Sequence, residues 1–174
     1  MPASNEWRSI ENLKMSTELA GRILSFLDVN HVMSLATTGP DGPHATNLFY
    51  ARDGYTLLWL SDPRSRHSVH IDTHPQVSAT IAPDYCDFPE IKGLQICGQA
   101  RRITHEAERA LAKRALETRY PFLKTASEGP LQLREAYDSS DFYALEPAQV
   151  VLIDNSRGFG FKETLKLSQA PHLL

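Results

Sequence analysis

Several residue types and patterns are scarce in this chain, and each scarcity excludes a class of protein. Only two of its 174 residues are cysteines, Cys86 and Cys97, which excludes a disulfide framework and matches no common zinc pattern. No hydrophobic run reaches the roughly 18 residues of a membrane helix. The first 13 residues carry scattered charges and no apolar core of a secretory signal. We therefore expect no membrane partner and a cytoplasmic location.

The charge balance is also unremarkable, with 18 Lys and Arg against 21 Asp and Glu and a net charge of -3. A chain without a basic excess is not expected to bind nucleic acid. Hydrophobic residues make up 41% of the chain and charged residues 22%, which is typical of a globular protein. The length predicts a single domain over 1–174, with an N-terminal arm at 1–15 and a C-terminal tail at 155–174.

Apolar periodicity and turn residues predict a mainly β fold with two or three helices. A helical stripe of apolar residues covers 16–27, with Ser16 or Thr17 as its cap. A second helix is expected at 65–73, and a third runs from its cap Thr104 to about residue 120. The strands are predicted at 31–37, 44–51, 55–61, 76–82, 91–103, 142–145 and 149–154.

Glycine and proline indicate how these strands are joined. Asp53-Gly54 is a hairpin signal, and the first three strands are expected to form an antiparallel meander. Pro147 is expected to separate the last two strands, whereas Gly93 and Gly98 are natural bulge points in the longest one. The pattern favours a single antiparallel sheet closed into a small barrel, which removes exposed sheet edges.

The segment Ser61-Asp62-Pro63-Arg64-Ser65-Arg66-His67 is a candidate anion site. It lies where a strand gives way to a helix, and the first turn of a helix offers unpaired N–H groups and a positive dipole end. Two serine hydroxyls and three cationic side chains add donors, and phosphate is the usual ligand of such a site. A capped helix start with solvated arginines explains the same residues slightly better when the segment is considered alone.

Three histidines follow in the same helix. His67, His70 and His74 are spaced to share one face, as zinc or haem ligands on helices do. Because no carboxylate or cysteine completes the set, surface or interface histidines are the favoured interpretation, and no metal site is predicted. No nucleophile–base arrangement is evident in the sequence, so catalytic residues stay unassigned.

A glycine-rich segment, Gly158-Phe159-Gly160-Phe161-Lys162, lies near the C-terminus. It lacks the third glycine and the βα unit of a dinucleotide-binding motif. Its aromatic rings and Lys162 are equally compatible with a cover over a ring-shaped ligand and with a turn anchored by hydrophobic side chains.

Short motifs occur in a characteristic order along residues 30–154. They are His31-Val32-Met33-Ser34-Leu35-Ala36-Thr37, Gly42-Pro43, Asn47-Leu48-Phe49-Tyr50, Leu57-Leu58-Trp59-Leu60, Ser65-Arg66-His67, Pro75-Gln76-Val77-Ser78 and Cys97-Gly98-Gln99-Ala100. In this order and spacing they resemble the pyridoxamine 5'-phosphate oxidase-like, FMN-binding split-barrel superfamily. Asn47 with Phe49-Tyr50, the Arg66-His67 pair and Asp154-Asn155 leading to Gly158-Phe159-Gly160 are similar to its YhbP-type branch.

The resemblance implies a six-stranded antiparallel split β-barrel with flanking helices. It further implies a homodimer that holds one FMN in each of two clefts between the subunits. The second barrel strand would run along the flavin ring, and the end of the third would approach the ribityl chain and phosphate. Ser65-Arg66-His67 matches the Ser-Arg-Lys motif that grips the phosphate, which makes the anion site the favoured interpretation. The expected cofactor contacts are Thr46, Asn47, Leu48, Leu60, Ser61, Ser65, Arg66, His67, Phe159 and Lys162.

The chain departs from the oxidase proper at several positions. Ala45 and Tyr50 stand where the oxidase has an arginine and a lysine, and His67 stands where it has the phosphate lysine. Only Arg157 and Lys162 lie near the place of its C-terminal substrate-binding arginines. Oxidation of pyridoxine phosphate itself is therefore not expected.

The resemblance leaves three functions open. The first is an FMN-dependent oxidoreductase that acts on an unknown small-molecule substrate. The alternative is a non-catalytic flavin- or haem-binding module, such as a sensor, store or carrier. The third is an interaction protein that lost its ligand, with the cleft filled by Tyr50 or Phe159.

Overall fold

The computed structural model describes residues 3–125 and 129–167, the side chains of 3–13 excepted. Within these ranges the chain forms four helices and eight strands. The helices are α1 (Ala3–Val29), α2 (Arg66–Thr73), α3 (Glu106–Arg119) and α4 (Leu131–Asp138). The strands are β1 (Val32–Gly39), β2 (Gly42–Phe49), β3 (Ala51–Asp53), β4 (Thr56–Ser61), β5 (Gln76–Ile81), β6 (Lys92–Arg102), β7 (Asp141–Asp154) and β8 (Lys162–Lys166). Residues 168–174, part of the expected tail, lie outside the described residues.

All eight strands belong to one antiparallel sheet with the order β2-β1-β5-β6-β7-β4-β3, and β8 pairs with β7. The two ends of this path, β2 and β3, are successive segments of the chain separated only by Tyr50. Tyr50 is fully buried, and its hydroxyl donates to the Leu27 carbonyl at 2.8 Å. The sheet therefore curls into a split barrel whose corner is fixed at Tyr50, as the fold prediction required.

The eight strands exceed the seven predicted from the residue pattern and the six implied by the family resemblance. The second predicted strand, 44–51, ends before Tyr50, and the separate strand β3 forms the hairpin with β4 across Asp53-Gly54. Both hairpins of the expected meander are present, β1 with β2 and β3 with β4. The prediction was wrong in using one shared strand where the structure has two, β2 and β3. Residues 162–166, placed in the tail by the sequence, pair with β7 as β8.

β7 runs unbroken through Pro147, where the sequence predicted two strands. The register between β6 and β7 shifts between Cys97 and Gly98, and Gly98 lies opposite Pro147. A proline is tolerated inside a sheet at such a bulge because no ladder donor is needed there. A side chain at position 98 would place its Cβ 2.1 Å from the Glu146 carbonyl oxygen, so only glycine fits. The predicted bulge at Gly98 is confirmed, and no register shift occurs at Gly93.

Two predicted helix caps are wrong. α1 begins at Ala3, so Ser16 and Thr17 lie inside the helix rather than at its start, and most of the expected N-terminal arm is helical. The apolar stripe that carried the prediction starts only at Leu19, which explains the late expected start. α3 has His105 rather than Thr104 at its N-cap, without a side-chain cap hydrogen bond.

The barrel interior and the helices form two apolar clusters. Leu19, Ile23 and Leu27 of α1 lie four residues apart and pack into the main cluster inside the barrel. Ala112 and Leu116 of α3 pack in a second cluster against β3, β4 and the start of β7. Within the described ranges, each helix is too short or too polar to cross a lipid bilayer.

Candidate functional site

The predicted anion site lies at the junction between β4 and α2. A tight turn joins them, in which the Ser65 backbone N–H donates to the Asp62 carbonyl at 3.0 Å. Ser65 has the extended backbone of a helix N-cap, yet its side chain makes no capping hydrogen bond. Its hydroxyl instead donates to the Ser68 hydroxyl at 2.8 Å. Because the Ser65 side chain does not cap the helix, the first-turn N–H groups of α2 can donate to another acceptor.

His67 lies at the centre of this site and is 6% exposed. Its Nε2 is 2.7 Å from the Ser61 hydroxyl and 3.1 Å from the Ser65 hydroxyl. Burial lowers the pKa of His67, and the neighbouring rings of His44 and His70 lower it further. A neutral imidazole whose Nε2 accepts from a serine hydroxyl fits both observations.

His67 belongs to a cluster of three imidazoles, formed with His44 and His70. The sequence analysis did not single out His44. His44 of β2 stacks on His67 with ring centroids 6.3 Å apart and an angle of 8° between the ring planes. The same His44 meets the edge of His70 at 6.2 Å. His44 was missed because it reaches α2 by folding of the β1–β2 hairpin, and nothing in its local sequence indicates this.

His70 is 2% exposed, and both of its ring nitrogens have partners. Nδ1 lies 3.2 Å from the Thr37 hydroxyl, and Nε2 lies 2.7 Å from the Asp41 carboxylate. Position 39 must be glycine for this packing, since a Cβ there would lie 2.4 Å from the His70 ring.

The interpretation of the three helical histidines as surface or interface residues is wrong for two of them, which are buried within the chain itself. His67 and His70 are buried because the helix packs that face against β1 and β2, whereas His74 is exposed at the C-cap of α2. Among the described side chains, no group of three or more His, Cys, Asp or Glu residues is arranged to hold a metal ion.

Arg66 projects from the first turn of α2 toward the β1–β2 turn. Its Nε is 2.7 Å from the Asp41 carboxylate, and its Nη2 donates to the Asp41 backbone carbonyl at 3.0 Å. The hydrogen bond from His70 holds the pKa of Asp41 below its usual value, and Arg66 contributes to this shift. A bound anion would thus share Arg66 with Asp41, whose side chain is 58% exposed.

Arg64, the other arginine of the motif, points into solvent with 80% of its side chain exposed. Its guanidinium pairs with Asp62 at 2.8 Å. The hydrogen bonds from the Arg64 side chain and backbone lower the pKa of Asp62 to about 2. Arg64 and Asp62 thus neutralise one another beside the site.

The predicted ring contacts on β2 do not share a face. Asn47 is exposed on the outer face of the sheet, and its Oδ1 accepts a hydrogen bond from the Ser34 hydroxyl at 2.6 Å. Thr46 and Leu48 point the other way and are half-buried, because neighbouring side chains alternate across a strand. Leu60 is also half-buried and packs against the second apolar cluster.

Phe159 and Lys162 lie far from Ser61 within one chain. β7 pairs with Ser61 at Asp141 and with Lys162 at Ile153, twelve positions along the strand (153 minus 141). At about 3.3 Å per residue this is roughly 40 Å in a straight strand. Phe159 is 87% exposed and stacks on Phe88 at 4.8 Å, so it fills no cleft of its own chain.

Arg157 and Lys162, the only candidates for the oxidase's C-terminal arginines, are both exposed. Arg157 pairs with Glu163 at 2.8 Å and lies over the Phe161 ring at 4.4 Å. These contacts hold the loop before β8 and bring neither residue to the anion site of the same chain.

The outer face of β2, β1, β5 and the first half of β6 carries exposed side chains without a charge; farther along β6, Arg101 pairs with Glu108 and Glu146. A cavity of about 410 Å³ opens on it beside Ala36, Ser78 and Cys97. This uncharged face ends at the β1–β2 turn, which holds Asp41, so it borders the anion site. Its residues are Val32, Ser34, Ala36, Thr38, Pro43, Ala45, Asn47, Phe49, Gln76, Ser78, Thr80, Gln95 and Cys97.

Comparison with known families agrees with this fold. Residues 19–153 match the family described as Pyridoxamine 5'-phosphate oxidase. The chain belongs to this family. The match extends from the middle of α1 to the last residues of β7 and so includes the whole β4–α2 junction.

Within the pyridoxamine 5'-phosphate oxidase family, the chain is similar to UPF0306 proteins, the YhbP-type branch. It is 27% identical over 149 residues to a UPF0306 protein of Photorhabdus laumondii, covering 84% of this chain and 95% of the relative. The branch suggested by the sequence motifs is therefore confirmed.

Solved structures share the fold at lower sequence identity. A haem-binding protein from Mycobacterium smegmatis superposes with a TM-score of 0.62 and 18% identity, over 79% of this chain and 53% of that protein. The chain thus spans about half the length of the mycobacterial protein. An FAD-binding protein from Mesorhizobium loti gives a TM-score of 0.57 and 19% identity, over 73% of this chain and 88% of that protein. At these identities the likeness establishes the split-barrel fold and not the ligand.

Proposed function

We propose that this protein binds FMN and is a flavin-dependent oxidoreductase acting on a small-molecule substrate. The observation that carries the proposal is the polar cluster at the β4–α2 junction: Ser61, Ser65 and His67 are in contact at the first turn of a helix that also carries Arg66. When bound, FMN supplies hydride and electron chemistry that protein side chains lack. The proposal includes the cytoplasmic location expected from the sequence.

The donor set suits a phosphate monoester. Two hydroxyls that lie 3.4 Å apart meet the first-turn N–H groups of α2 at the junction, and both kinds of group are common donors to phosphate oxygens. The Arg66 guanidinium extends from the same turn to Asp41 and would be shared between Asp41 and the phosphate. In the proposed complex these residues bind the phosphate, while Asn47, oriented by Ser34, offers its amide nitrogen to an acceptor on the flavin ring.

We further propose that the uncharged face of β2-β1-β5-β6 packs against a second copy of the chain, with the flavin at the seam. An exposed face of this extent without charges is typical of a protein interface, because the centre of an interface is depleted of charged residues. The face borders the Arg66–Asp41 contact, which fits a ligand whose phosphate lies at the edge of the seam. The remote Phe159 and Lys162 could reach this ligand only from the partner subunit.

Haem binding by relatives of this fold is a separate property of those proteins. In this chain both nitrogens of His70 and the Nε2 of His67 already contact hydroxyls or a carboxylate. These buried imidazoles are therefore poorly placed to ligate iron, and we retain flavin as the proposed ligand.

The direct test is a titration of the purified protein with FMN, followed by quenching of flavin fluorescence. Arg66→Ala should weaken FMN binding by about 1.5–3 kcal/mol, the range for a hydrogen bond to a charged group. Arg64→Ala is the matched control and should leave the affinity unchanged, because Arg64 is exposed and pairs with Asp62. Equal losses in both variants, or none in Arg66→Ala, would show that the phosphate lies elsewhere.

Turnover is tested separately on the FMN-loaded protein. Anaerobic mixing with NADH or NADPH should bleach the flavin absorbance if a nicotinamide is the electron donor, as for many flavoproteins. Stable flavin absorbance with these and other small-molecule reductants would instead favour the carrier or sensor alternative.

A further inference from the structure

The anion site differs from a site of fixed cations in having a buried, neutral imidazole at its centre. His67 Nε2 lies near two serine hydroxyls, and its ring stacks on His44, which also contacts the edge of His70. Burial and the two neighbouring imidazoles all oppose a positive charge on His67. These surroundings therefore favour the uncharged form of the ring.

The polar and titratable groups that contact His67 or its immediate neighbours come from four other elements. β4 contributes the Ser61 hydroxyl, and β2 contributes His44. The β1–β2 turn contributes Asp41, which is already engaged by His70 and Arg66. β7 contributes Tyr143, which faces Ser68 and has Arg102 of β6 at 5.8 Å from its ring. Among the described side chains, no carboxylate forms an ion pair with His67 itself.

A phosphate bound between Ser61, Ser65 and Arg66 would supply the missing negative charge. A dianion within a few ångströms of an imidazole favours the imidazolium form and offsets the effect of burial. The proton would come from water and bind at Nε2, where the hydroxyls now lie. The resulting N–H would donate to a phosphate oxygen or to a serine that has turned its own proton toward the phosphate.

We propose that His67 takes up a proton when a flavin phosphate binds, so that the site selects phosphorylated over unphosphorylated flavin more strongly as the pH falls. This inference rests on the proposed FMN function and adds its regulation. The ligand is a phosphate monoester attached to a flavin, and riboflavin is the matching ligand without the charge. The position taken by a lysine in the related oxidase motif thereby becomes a proton-coupled switch.

The test is the affinity for FMN and for riboflavin measured between about pH 8 and pH 6.5, around the ordinary pKa of histidine. FMN should bind about three- to tenfold more tightly per unit of pH decrease. A tenfold change per pH unit is the limit for uptake of one proton. Riboflavin should show little change. The phosphate of FMN, with a second pKa near 6, loses negative charge toward low pH and would by itself produce the opposite trend.

Variants separate His67 from the other histidines. His67→Gln should abolish the pH dependence, and His67→Lys should bind FMN tightly at every pH because its charge is fixed. His44→Gln removes a repelling neighbour and should move the onset of tight binding to higher pH. His74→Gln, at an exposed position, is the control and should retain the full slope. Circular dichroism checks that each variant is folded.

A second readout is proton uptake on FMN addition, followed with a pH indicator in weak buffer at about pH 7.5, where uptake should approach one proton per site. Preferential FMN binding with no pH dependence, or a slope that survives in His67→Gln, would overturn the inference and leave the proposed function intact. Failure of FMN to bind better than riboflavin at any pH would instead overturn the proposed function itself.

Discussion

Arg119 is a single side chain that joins α1, α3 and the Tyr50 corner of the barrel. Its Nη2 donates to the carbonyls of Leu27 and Asp28 at 2.9 and 3.1 Å, in the last turn of α1. Its guanidinium also lies 5.0 Å from the centre of the Tyr50 ring. A cation at a helix C-terminus satisfies carbonyls that lack intrahelical donors and interacts favourably with the dipole.

We expect Arg119→Ala to lower the free energy of unfolding by about 2–3 kcal/mol, since it removes charged hydrogen bonds and a ring contact. Arg114→Ala on the same helix is the control and should change stability by less than about 0.5 kcal/mol because Arg114 is exposed. Urea denaturation measures both. Similar stabilities for the two variants would contradict the role of Arg119.

The sequence could indicate only those residues of the proposed anion site that are close along the chain. Ser61, Ser65 and His67 lie within seven positions, and the structure places them in contact. Asp41 pairs with Arg66 and His44 stacks on His67, yet both reach α2 only through the β1–β2 hairpin. Contacts between residues that are distant in sequence leave no local sequence pattern from which they could be predicted.

At the scale of elements, the pairing of β6 with β7 depends on one glycine. The bulge at Gly98 accommodates Pro147 and lets β7 continue as a 14-residue strand from the second apolar cluster into the first. The sequence pointed to Gly98 as a bulge and to Pro147 as a break. The bulge at Gly98 accommodates Pro147 because the two residues lie opposite each other in the paired strands. The sequence alone does not show that these strands are partners.

Gly98→Ala should destabilise the protein by about 1–3 kcal/mol, because the added Cβ overlaps the Glu146 carbonyl and the chain must shift to relieve it. Gly21→Ala is the matched control. Gly21 is exposed inside α1 and has no atom within 4 Å of an added Cβ, so the change should stabilise by up to about 1 kcal/mol. Thermal unfolding of the two variants should therefore shift in opposite directions, and a Gly98→Ala protein as stable as the parent would contradict the bulge.

At the scale of the whole molecule, the uncharged face sets the expected assembly. The composition and the strand periodicity were sufficient to predict a closed antiparallel sheet. They did not separate the strand residues that face the interior from those that face a partner. That distinction needs the sheet order, which places β2, β1, β5 and β6 side by side and reveals a continuous face.

We expect the protein to run as a dimer of about twice its 19.5 kDa chain mass in size-exclusion chromatography with light scattering. Ala36→Arg places a charge in the middle of the face, beside Ala45 and Ser78, and should yield monomers with weakened FMN binding. Ala110→Arg, at an exposed position of α3, should stay dimeric. A parent protein that is monomeric at all concentrations would refute the seam.

A crystal structure of the protein grown with FMN would show where the phosphate and the flavin ring bind. We expect a dimer in which the FMN phosphate lies within hydrogen-bond distance of Ser61, Ser65 and Arg66, with the ring at the seam beside Asn47. A phosphate bound at any other place, or crystals of lone monomers that leave this junction empty at saturating FMN, would contradict this expectation.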